Sequence, residues 1–157
     1  MEQLRESVQI SERLTIVMNR ITDKLTSIHE KMRELALVHE SGCPGAQEFL
    51  AACENPHTAA RATPSDLRAV NQTIGHIHQL IRDVDADFRW LSYHVAELQQ
   101  MESNSAVLQA AVSRMASAME ETERQMAADW SVVRPHAEEV ARGLTRTTLR
   151  GIGLPME

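Results

Sequence analysis

The chain has 157 residues, of which 43% are apolar but only 3% aromatic. Rings usually supply much of a wide globular core, so their scarcity favours narrow seams between helices. The formal net charge is -6, with acidic and basic residues interleaved and no block of Lys or Arg, which excludes a phosphate-backbone footprint. No apolar run approaches the ~20 residues that span a bilayer.

Residues 1–41 read as one amphipathic helix. Leu14, Met18, Ile21, Leu25, Ile28, Met32 and Leu35 follow a strict four-three alternation, with Leu4 in register and Ser7 and Ser11 as polar interruptions. Ile10, Val17 and Val38 flank the stripe and widen it, which suits a bundle of three or more helices better than a simple pair. The stop is "ESGCPG", with Gly42, Pro44 and Gly45 just past the last periodic residue.

Residues 42–63 form a connector with a candidate short helix, "AQEFLAACE", whose Phe49 and Leu50 are available to dock on the long helices. His39, Cys43, Cys53 and His57 make a symmetric His-x3-Cys-x9-Cys-x3-His series. Both residue types ligate zinc, and four ligands close a structural site. The paired Cys-x2-Cys knuckle is missing, so the plainer reading is two thiols and two loop histidines, with neither metal nor cofactor. A Cys43–Cys53 disulfide needs an oxidising compartment.

Residues 64–134 carry the strongest pattern. "TPSD" supplies a Thr63 cap, Pro64 at the first helical position and Asp66 as the capping-box acid. Leu67, Val70, Ile74, Ile77, Ile81, Val84, Phe88, Leu91, Val95 and Leu98 then alternate between a and d positions without an error. Their shoulders, including Thr73, Asp87 and His94 at g, are polar except for Leu80. A thin stripe between polar shoulders is a coiled-coil signature.

After Leu98 the register slips, because Met101 follows at three residues where four are due. The pattern resumes through Ser105, Leu108, Val112, Met115, Met119, Thr122 and Met126. "ESNS", at 102–105, is rich in caps and poor in helix formers, so a turn competes with a continuous rod of about 100 Å. Without Gly or Pro there, continuity is the favoured expectation. Pro135 is expected to break or kink the helix and to set off residues 135–157 as a short terminal helix with Arg142, Arg146 and Arg150 on a basic side.

The remaining polar residues carry little chemistry. His76, His78 and His94 read as solvated helix-surface side chains, and Asp83, Asp85 and Asp87 cannot converge on one cation. No nucleophile–base pair, phosphate-binding Gly loop or convergent carboxylate pair is present, so no enzyme is expected. Trp90 and Tyr93 sit off the seam, at c and f positions. Rings of this kind favour protein interfaces.

The expectation is therefore an all-α protein, an elongated coiled coil or helical bundle of two or three long helices plus the short C-terminal one. Its seam and the Trp90–Tyr93 pair are the candidate interface to protein partners, in a homo- or hetero-oligomer. The function expected is that of a scaffold subunit in an intracellular complex of cytoskeletal, kinetochore, pore or tethering type. The alternative is a compact bundle that binds a client transiently, as an adaptor or secretion chaperone does. The charged start, "MEQLRESVQISERL", is no secretory signal, and two thiols without one point to the cytoplasm or nucleus.

Overall fold

A computed structural model describes residues 2–41 and 64–151. The chain is all-α: α1 spans Glu2–Ser41, α2 Pro64–Gln99 and α3 Ala106–Gly151. Among the described residues only 100–105 are not helical. α2 begins at Pro64, where the missing amide of proline costs nothing because first-turn amides lack intrahelical partners. Phe49, Leu50, Cys43, Cys53 and His57, together with the His39 side chain, lie outside the described residues.

The chain divides into two compact units, each made of three helical segments. The first comprises Met1–Glu30 and Val84–Trp130. Its core is built from Val17, Ile21 and Ile28 of α1, Val84, Leu91, Val95 and Leu98 of α2, and Val112, Ala116 and Trp130 of α3. Within it α2 runs opposite to both neighbours, as Ser27 meets Asp87 and Glu6 meets Asn104 on one side, while Gln99 meets Glu120 on the other. The second unit comprises Lys31–Asp83 and Ser131–Glu157. Leu35, Val70, Ile77, Leu80, Ile81, Ala137 and Ala141 form its core.

The structure corrects the expected continuous helix: the chain turns at residues 100–105. α2 closes with the Gln100 amide on the Ala96 carbonyl at 3.1 Å and the Met101 amide on the Leu98 carbonyl at 3.3 Å. Met101 is buried beneath the turn. Ser105 then caps α3, its hydroxyl accepting from the Leu108 amide at 3.4 Å, and Gln109 Oε1 accepts from the Ser103 amide at 2.7 Å. Side chains thus satisfy the amides a turn leaves open, and neither Gly nor Pro is required. The apparent register defect marks the end of one helix and the start of the next.

Three further expectations are corrected. α3 runs through Pro135 without a break, so residues 135–151 do not form a separate short helix. Buried Trp130 before the proline and buried Ala137 and Ala141 after it hold the segment in its helical course, each side against its own core. Leu4 follows the α1 register yet is 67% exposed. Met115 is also exposed, and Ala116 takes its place in the core, because α3 restarts with its own phase after the turn.

Candidate interaction surface

The α2 seam is wider than its sequence suggests. Val70, Ile77, Ile81, Val84, Leu91, Val95 and Leu98 are buried, and Ile74 and Phe88 are half-buried. The Leu67 side chain lies outside the described residues. The g-position residues Leu80, Asp87 and His94 are buried as well, which corrects the expectation of polar, solvated shoulders. A third buried column lets one helix pack against two neighbours at once.

Both polar members of that column are satisfied. Asp87 Oδ2 accepts from the Ser27 hydroxyl at 2.7 Å, and the Lys24 ammonium lies 3.6 Å from Oδ1. His94 Nδ1 lies 3.1 Å from Glu97 Oε1. A buried carboxylate or imidazole without such partners would be costly. Two residues before Asp87, Asp85 Oδ1 accepts from the indole Nε1 of Trp130 at 2.9 Å, and Phe88 stacks on Trp130 with centroids 6.5 Å apart. Ser92 donates to Glu123 at 3.1 Å. These contacts come from the chain itself, so the buried seam side chains are covered by its own helices.

Trp90 and Tyr93 are different. They are 54% and 59% exposed, and their rings meet edge to face with centroids 6.0 Å apart. His94 lies against both, at 6.0 Å from Trp90 and 5.6 Å from Tyr93. A buried imidazole therefore forms the floor on which two exposed rings rest. The two rings thus stand together at the surface, in contact with each other and with His94. Exposed Arg89 and half-buried Glu97 frame the rings with both signs of charge.

The other histidines divide between an ion pair and a recess. His76 Nε2 lies 2.6 Å from Glu34 Oε1. His78 lines an open recess with Ile81, Arg82, Arg134, Glu138 and Arg142. The sequence reading missed this recess, although the basic side of the last helical segment was a partial signal. Among the described residues, no group of three or more His, Cys, Asp or Glu could hold a metal ion, and no helix is long and apolar enough to cross a membrane.

No protein-family model, curated protein or solved structure matches the chain.

Proposed function

We propose that this chain is a non-enzymatic helical-bundle adaptor that binds a partner protein through the Trp90–Tyr93 surface. The observation that carries the reading is the exposed ring pair resting on buried His94, on a helix whose own seam is already filled. Trp and Tyr contribute large contact areas and dominate many interface energies. A partner helix laid along this side of α2 would cover both rings, with Arg89 and Glu97 at the rim.

A second reading is an assembly subunit that spaces or tethers partners within an intracellular complex. Helices of 40, 36 and 46 residues favour it, since globular helices average about 11–12 residues. In both readings the chain works inside the cell, in cytoplasm or nucleus, in keeping with its two thiols.

Photocrosslinking from position 89 in cells, with native mass measurement of the complexes, tests the proposal. One discrete protein adduct is expected, and W90A/Y93A should abolish it while leaving helicity unchanged. An unchanged adduct and complex mass in that variant would overturn the reading. The complex mass also distinguishes a second copy from a different protein.

A further inference from the structure

The second unit holds a basic recess of about 390 Å³ between α2 and α3, lined by His78, Ile81, Arg82, Arg134, Glu138 and Arg142. We infer that this recess is a binding site for an acidic, amphipathic segment of a partner protein, separate from the Trp90–Tyr93 surface.

Charge gives the first argument. The chain as a whole is acidic, yet residues 131–151 carry four arginines against two glutamates. Arg134 and Arg142 stand two turns apart on α3, and His78 and Arg82 one turn apart on α2. Spacings of eight and four residues, two turns and one, keep each pair on one side of its helix. Arg134 is engaged by Glu138, and Arg82 donates to Gln79 Oε1 at 2.9 Å. His78 and Arg142 have neither a hydrogen bond nor an ion pair among the described residues. A guanidinium fork matches a carboxylate in two-point geometry.

The shape of the site favours a peptide over a small anion. Its floor is the buried side chain of Ile81, and arginine stems add apolar wall. The Glu138 carboxylate in the lining opposes a compact dianion such as phosphate, but not a segment whose carboxylates are spread along its length. Glycine supplies the second argument. Gly75 sits mid-helix and exposed, and a Cβ there would meet nothing within 4 Å, so packing inside the chain does not require it. A glycine in a helix interior costs about 0.5–1 kcal/mol relative to alanine. Gly75 shares a side of α2 with His78 and Arg82 and leaves bare backbone beside them, where a docking chain can approach closely.

The test is fluorescence anisotropy with labelled ~15-residue peptides that place Glu and Leu at helical spacing, against matched peptides with Gln for Glu. Saturable binding of the Glu peptides alone is expected, weakening steeply as NaCl rises toward ~0.5 M. R82E/R142E should weaken binding at least about tenfold. R20E/R114E, the same charge change at exposed sites outside the recess, should leave it unchanged. Gly75→Leu, which raises helix propensity, should weaken binding with helicity maintained. W90A/Y93A should not alter it, so failure here leaves the adaptor reading standing, and the converse holds. Absence of Glu-peptide binding, equal loss in both charge-reversed pairs, or an unaffected R82E/R142E overturns the inference. Displacement of the peptide by inorganic phosphate would make the recess an anion site instead. Recess-dependent binding to phosphatidylserine vesicles, with no affinity for peptide, would make it a membrane contact.

Discussion

The Ser27 hydroxyl donates to Asp87 Oδ2 at 2.7 Å, joining α1 to α2 inside the first unit. Asp87 is only 7% exposed, so this bond and the Lys24 ammonium on Oδ1 compensate a carboxylate largely removed from water. The relationship makes Asp87 a register pin, because sliding α1 by one turn would strand the charge.

Removing the hydroxyl should therefore destabilise. Ser27→Ala is expected to cost about 1.5–3 kcal/mol, the range for a hydrogen bond to a charged group, read by urea unfolding. Combining Ser27→Ala with Asp87→Leu should cost less than the two single changes added, since the apolar pair leaves no orphaned acceptor. Strict additivity would mean that the two side chains do not act together.

Leu4 and Ile28 share the α1 register but differ in exposure. Ile28→Ala should cost about 2–5 kcal/mol, as expected for a fully buried aliphatic side chain. Leu4→Ala should change stability by no more than about 0.5 kcal/mol. Comparable losses in thermal unfolding would contradict the placement of Leu4 at the surface.

The turn at 100–105 rests partly on one cap. Ser105→Ala removes the acceptor for the Leu108 amide and should cost about 1 kcal/mol, while Ser105→Asp should retain most of the stability. Hydrogen exchange at the Leu108 amide should accelerate in the alanine variant and not in the aspartate one.

Pro135 has the opposite sign. Its ring removes one helical amide and crowds the preceding turn, at a cost of about 3 kcal/mol in a helix interior. Pro135→Ala should raise the unfolding midpoint and increase exchange protection through residues 131–139. A lower midpoint would show that the proline supports native packing that alanine cannot replace.

Much of this architecture was legible from residue order alone. The spacing of Ile21, Ile28 and Leu35, and of Val70 through Leu98, determined that these stretches are helices and which side chains enter the core. Period is a local property, and burial along a helix follows it. "TPSD" marked the start of α2 at Pro64. Trp90 and Tyr93 were identifiable as off-seam rings from position alone.

What the heptad period does not encode is which polar shoulders of a helix a neighbour will cover. Asp87 and His94 stand at shoulder positions that read as solvated, yet both are buried; Asp87 takes its partners Ser27 and Lys24 from α1, whereas His94 takes Glu97 from its own helix. The same reason explains why a three-residue register slip proved to be a capped turn, why Ala116 displaced Met115, and why Pro135 lies within a helix held by its flanking core residues. Only folding juxtaposed Arg82 with Arg134 and Arg142, which are separated by about fifty residues or more of intervening chain, so the basic recess existed in no single stretch of sequence. Local pattern determined the elements; long-range packing determined which of their polar groups are buried, paired or open to a partner.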